Sequence, residues 1–258
     1  MSRIAKAFES GKAFIAFLTG GDPSLELSER LIAEMARAGA DLIEIGVPFS
    51  DPIAEGEVIE RANLRALRAG TTLEKLFELV ARVRRTSEVP LVFLTYLNPV
   101  FRYGYEAFFA RCREVGLDGV IIPDLPFEEQ GELKGVAREN GVDLISLVAP
   151  TSEERIRRIA AEADGFLYIV SSMGVTGVRS AIQTNIEAMV KLAKGAAEIP
   201  CAVGFGIGSP EQARQMARQA DGVIVGSAIV RLIEEHGENA AGPVREFVQA
   251  MKGAASGD

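Results

Sequence analysis

Three observations predict an α/β protein built as one closed barrel. First, one pattern recurs along the chain: a helix end, a Gly or Ala, an Asp, an apolar run, then a polar or small loop. It appears as ARAGADLIEIG, REVGLDGVIIPD (113–124), ARENGVDLISLVAP (137–150), AAEADGFLYIVSS (160–172) and ARQADGVIVGSA (217–228). Second, the apolar runs are continuous rather than alternating, as in a parallel sheet covered on both faces. Third, these runs alternate with helical stretches at intervals of roughly 25–35 residues, giving about eight units, the repeat of a single (β/α)8 TIM barrel. An open doubly wound sheet is the rival, but it calls for a GxGxxG turn after the first strand, and TGGDPS is not one.

The elements follow in order. Residues 1–10 read as an extra N-terminal amphipathic helix, with Ile4, Ala7 and Phe8 at helical spacing. Ala13 to Leu18 is the first strand. Thr19-Gly20-Gly21-Asp22-Pro23 is a loop, Ser24 a helix cap, and the helix over 25–38 stops at Gly39. Asp41 opens the second strand, Leu42 to Ile45, which is bounded by Gly46 and Pro48. Leu91–Thr95 and Ala202–Gly204 supply further strands after Pro90 and Pro200. Helices are predicted over 72–85, 103–115, 127–139, 152–162, 181–195 and 209–219. Residues 1–258 form one domain, with a Gly/Ala-rich tail, 253–258, expected to fray. The loops after strands two (46–57) and six (171–181) are long, and in a barrel both lie on the C-terminal face, where active sites are built.

Composition excludes several functions. There are 28 Lys and Arg against 36 Asp and Glu, a net charge of −8 with no basic stripe, so nucleic acid is not an expected partner. No apolar run has membrane-spanning length and the N-terminus lacks a signal-type apolar core, so a cytoplasmic protein is expected. Cys112 and Cys201 show no metal or redox spacing and no partner His. The lone His236, in EEHGEN, reads as a solvated helix end, so no metal site is expected. None of the lysines falls at a strand end, which removes imine chemistry. Carboxylates and tyrosines remain for proton transfer: Glu44, Asp51, Glu55, Glu57, Asp124, Tyr96 and Tyr168.

Glu44 stands out because a carboxylate inside a buried strand is costly unless it is paired or has a task; the competing reading is an outward-facing surface Glu. Three small-residue loops, Ser171–Gly177, Gly204–Ser209 and Gly226-Ser227-Ala228, follow strands six, seven and eight. Barrel phosphate sites sit there, where glycines allow close approach and helix-start amides favour an anion. Other candidates have structural explanations. Asp22 suits a turn, Asp51 and Asp124 can hold their loops, Tyr168 needs only a hydroxyl partner, and Glu57 and Glu60 suit a helix start.

IEIGVPFSDPIAEG, followed in order by PDLP, GVTG, GFGI and VGSAIV and preceded by TGGDP, resembles the α subunit of tryptophan synthase from about Phe8 to Arg231. The resemblance implies a TIM barrel. It also implies retro-aldol cleavage of indole-3-glycerol phosphate to indole and glyceraldehyde 3-phosphate. It implies an α2β2 heterotetramer whose β subunit receives indole through a tunnel, with pyridoxal phosphate on that β subunit and no cofactor on this chain. By motif, Glu44 stands at the catalytic Glu, and Glu55 at a second carboxylate that is usually Asp, in LADG. Tyr168 matches the tyrosine of the indole pocket and Thr176 a mobile-loop residue. Gly177, Phe205, Gly206, Gly226 and Ser227 match the phosphate site. The chain departs from the family's G-P-x-I-Q at Gly56-Glu57-Val58-Ile59-Glu60. The two extra charges are expected to raise the Glu55 pKa by like-charge repulsion. They also leave open a non-catalytic α-like subunit that binds and activates a β partner.

Overall fold

The computed structural model describes residues 3–170, 186–204 and 206–257. Eight parallel strands close into a barrel in the order β1 to β8. They are β1 (Ala13–Thr19), β2 (Leu42–Gly46), β3 (Leu91–Leu94), β4 (Gly119–Ile121), β5 (Asp143–Val148), β6 (Leu167–Val170), β7 (Cys201–Gly204) and β8 (Gly222–Val225). The helices are α1 (Arg3–Lys6), α2 (Leu25–Arg37), α3 (Glu57–Arg68), α4 (Leu73–Val83), α5 (Leu97–Tyr103), α6 (Tyr105–Val115), α7 (Gly131–Glu139), α8 (Glu153–Glu162), α9 (Ile186–Lys194), α10 (Pro210–Ala217), α11 (Ser227–His236) and α12 (Ala241–Ser256). None of the described helices is long and apolar enough to cross a membrane.

Alternation along each strand divides the core into two layers. Ile43 and Ile45 face outward and pack with Leu31, Phe77 and Phe93 under the helices. Leu42 faces the lumen with Ile15, Val92, Ile121, Ile145, Tyr168 and Ile224. Glu44, two residues after Leu42, shares that inward face. It pairs in register with Phe17 of β1 and Val92 of β3. The N-terminal helix is shorter than the sequence suggests. It closes the floor of the barrel with Ile4, fully buried against the start of β4, and Phe8 packs on Phe166 at a ring distance of 5.7 Å.

In three of the five repeats the Asp works on the floor, not at the site. Asp41 accepts a hydrogen bond from the Phe14 N–H, Asp118 from Leu91 and Asp221 from Cys201, at 2.7, 2.8 and 2.9 Å. Each therefore satisfies a buried backbone donor at the start of the preceding strand. Each also has a cation: Lys252 for Asp41, Arg84 and Arg3 for Asp118, and Lys194 for Asp221.

Two further expectations are corrected. Residues 253–256 of the expected tail are helical rather than frayed: α12 continues to Ser256, with Met251, Ala254 and Ala255 buried and Lys252 bonded to Asp41. Alanine is the strongest helix former, and small side chains let this helix lie close against the barrel. Glu57 and Glu60 start α3, as expected of acids at a helix start, so that two helices, α3 and α4, connect β2 to β3. The stretch 103–115 begins within α5, which ends at Tyr103; Gly104, with φ of 89°, breaks the chain there before α6.

Candidate active site

The inward residues near the C-terminal ends of the strands enclose a cavity of about 300 Å³. Phe17, Glu44, Leu94, Tyr168 and Ile224 form its base, and Glu55, Gly206, Gly226, Ser227 and Arg231 line its rim. The outward-facing reading of Glu44 is thereby overturned. Its side chain is 1 % exposed, and its Oε2 has no hydrogen-bond partner among the described residues. Burial, with a smaller contribution from the charge of Glu55, pushes its pKa up to about 8. At neutral pH this carboxyl holds a proton that it can give to a base in the cavity.

Glu55 arrives on the loop after β2. Tyr96, the residue before α5, fixes that loop: its phenol oxygen accepts from the N–H groups of Ile53 and Ala54 at 3.1 and 3.0 Å. Phe49 stacks on the same ring at 5.1 Å. The amide of Asn63, on α3, donates to Glu55 Oε2 at 2.6 Å. Burial pushes the Glu55 pKa up to about 7; the Asn63 hydrogen bond opposes the rise and Glu60 adds to it. Like-charge repulsion from the altered segment is thus a lesser cause than burial, and it comes from Glu60.

Tyr168 stands across the lumen from these acids. Burial and the neighbouring Glu44 hold its phenol well above its ordinary pKa, so it stays neutral. A second, mainly apolar cavity of about 610 Å³ shares Ala54, Glu55, Leu94 and Tyr168 with the first and continues past Pro123, Leu147 and Val170.

At the opposite rim, Gly206 adopts a positive φ of 75°. Gly226 precedes α11, whose first turn carries no side-chain cap, leaving backbone N–H groups for a ligand. Arg231, one turn further on, lines the cavity and has no ion pair among the described residues, a cation the reading by motifs missed. Its helical neighbour Glu234 is held elsewhere, by Arg61 and Arg65 of α3. Thr176, Gly177 and Phe205 lie outside the described residues.

The remaining acids have structural work. Asp22 is more than a turn former: it is buried and receives both arms of the Arg65 guanidinium at 2.7 and 2.8 Å, tying the β1 loop to α3. Asp124 accepts from the Leu97 N–H at 2.9 Å, and Asp51 is exposed beside Ser50. His236 is exposed at the end of α11. Among the described residues no group of three or more His, Cys, Asp or Glu could hold a metal. The contacts of Tyr96 and Arg65 join residues more than 40 apart in sequence, and that of Asn63 joins a helix to the loop before it, so none of the three roles could be read from a local motif.

Comparison with known proteins agrees with this geometry. A family model described as "Tryptophan synthase alpha chain" matches residues 4–256. Two curated relatives of that name come from Lacticaseibacillus casei and Lactiplantibacillus plantarum. The first is 44% identical over 252 residues, covering 98% of this chain and 95% of the relative. The second is 46% identical over 258 residues, covering 100% and 97%. The crystal structure of tryptophan synthase subunit alpha from Legionella pneumophila superposes with a TM-score of 0.90 at 36% identity, covering 100% of both chains. A chain of the tryptophan synthase complex of Pyrococcus furiosus gives 0.85 at 34% identity, covering 94% and 99%.

Proposed function

Because the chain belongs to the tryptophan synthase alpha chain family, we propose that Glu44 and Glu55 carry out that family's chemistry in the cavity described above. The chain is a carbon–carbon lyase of tryptophan biosynthesis, cleaving indole-3-glycerol phosphate to indole and glyceraldehyde 3-phosphate. The observation that carries the site assignment is the buried Glu44 carboxyl on the inward face of β2, whose Oε2 has no hydrogen-bond partner among the described residues.

Protonated Glu44 gives its proton to the indole carbon that bears the glycerol chain. The ring nitrogen becomes iminium-like, and the Glu55 carboxylate accepts its N–H and offsets the developing charge. Glu44, now ionised, takes the proton of the adjacent hydroxyl. The carbon–carbon bond breaks, its electron pair returns to the ring and neutralises the nitrogen, and the aldehyde forms. Glu44 ends the cycle protonated, and the protonated ring serves as electron sink.

Tyr168, with Phe17 and Leu94, supplies the apolar walls for the ring. The phosphate goes to Gly206, Gly226, Ser227 and the start of α11, with Thr176, Gly177 and Phe205 added by motif, and Arg231 provides a positive charge at that end. A β subunit is the partner of this chain; an α2β2 assembly in the cytoplasm, with pyridoxal phosphate on the β subunit and none on this chain, is the form we propose. The non-catalytic alternative is not favoured. Indole release by the purified chain, with and without a β subunit, tests the reading: Glu44→Gln is expected to abolish it while leaving phosphate-ligand affinity within about twofold. Full activity in that variant would remove Glu44 from the mechanism.

A further inference from the structure

We infer that Asn63 is a positioning residue for the lyase reaction: its side-chain amide fixes the Glu55 carboxylate in the orientation that presents its other oxygen to the substrate's ring N–H. The inference rests on the reading of Glu55 given above.

The geometry is specific. Asn63 is 2 % exposed and lies on the second turn of α3, eight residues after Glu55, and its Nδ2 reaches Oε2 at 2.6 Å. Donation to one oxygen leaves Oε1 available to a ligand. The helix turn that carries Asn63 is anchored on both sides. Two residues later Arg65 binds buried Asp22, and two residues earlier Arg61 shares Glu234 of α11 with Arg65. The amide therefore has a fixed origin from which to hold a loop residue.

A neutral donor suits the task better than a cation. An Arg or Lys at this place would form an ion pair and consume the negative charge that the ring nitrogen needs. The amide stabilises the carboxylate yet leaves it a net anion. The extra methylene of Glu relative to the family's usual Asp adds a rotatable bond, and the hydrogen bond removes that freedom before substrate arrives.

The hydrogen bond also opposes the rise in Glu55 pKa that burial causes. The other groups facing Glu55 are Glu44 from β2, Glu60 from α3, Tyr96 before α5, Tyr168 from β6 and Arg231 from α11. None of these donates a hydrogen bond to its carboxylate among the described residues.

The experiment is the pH profile of kcat/KM for indole formation by the full chain, compared for wild type, Asn63→Ala and Asn63→Asp. Loss of the donor moves the acidic limb up by about one pH unit in Asn63→Ala and further in Asn63→Asp. At neutral pH kcat falls by about tenfold, with a smaller change in KM. In Glu55→Gln the acidic limb disappears, and adding Asn63→Ala to it changes the profile no further. A limb that stays in place in Asn63→Ala while only the melting temperature drops would reduce Asn63 to a packing residue and overturn the inference. A Glu55→Gln variant with wild-type activity and profile would instead overturn the role of Glu55 itself. Should Asn63→Ala fail to fold, Asn63→Ser, which is too short to span the gap, gives the same readout.

Discussion

Gly204 on β7 lies under the ring of Tyr168 on β6, so close that a Cβ at Gly204 would stand 2.6 Å from two of the ring carbons. The glycine is what lets the tyrosine lie back against the barrel wall. Its replacement by Ala must push the phenol into the cavity or force the strands apart. Gly204→Ala is expected to raise KM for indole-3-glycerol phosphate by about tenfold and to lower stability by about 1–3 kcal/mol, the usual cost of overpacking. Steady-state kinetics and a thermal melt measure both; an unchanged KM would show that the ring does not border the substrate.

The buried Glu44 makes stability depend on pH. Its folded pKa of about 8 lies above the ordinary value of 4.5. The folded state therefore binds the proton more tightly than the unfolded chain does. The resulting stability is fully present below about pH 4.5 and is lost as pH rises through about 8, a loss on the order of 4–5 kcal/mol. Glu44→Gln removes this term. Its stability in urea, relative to wild type, is expected to be several kcal/mol greater at pH 8.5 than at pH 5. Parallel pH curves for the two proteins would contradict the burial of an ionisable group here.

Tyr96 holds the loop that brings Glu55 to the cavity. Tyr96→Phe keeps the ring stacked on Phe49 but removes the acceptor for the Ile53 and Ala54 N–H groups. A loss of about 1–2 kcal/mol of stability is expected, together with a roughly tenfold fall in kcat. Hydrogen exchange at the amides of residues 53 and 54 is expected to accelerate. Wild-type protection of those amides would mean that the loop is held by other contacts.

Arg231 lines the cavity beside Gly226 and Ser227, where the phosphate is proposed to sit, and has no carboxylate partner among the described residues. Arg231→Gln is expected to raise KM about three- to tenfold with little change in kcat, the pattern of lost uniform binding. Added salt is expected to weaken wild-type binding more than that of the variant, because the interaction is that of exposed charges. Equal salt dependence in the two proteins would assign phosphate affinity to backbone amides alone.

The sequence by itself determined the barrel, the strand segments, Glu44 as a candidate acid within a strand and the small-residue loops. Continuous apolar runs and a repeated Asp are local signals, and the physics that reads them acts over a few residues. The Gly/Ala-rich end shows where this fails, since composition alone does not tell a loose tail from a helix that packs closely because its side chains are small.

Only the tertiary structure decided which face of β2 looks into the lumen and how far burial shifts the two acids. The same holds for the hydrogen bond from Asn63 to Glu55, the Arg65 fork on Asp22 and the seat of Tyr168 on Gly204. Each of these depends on desolvation or on contact between different elements, and both exist only once the barrel has closed.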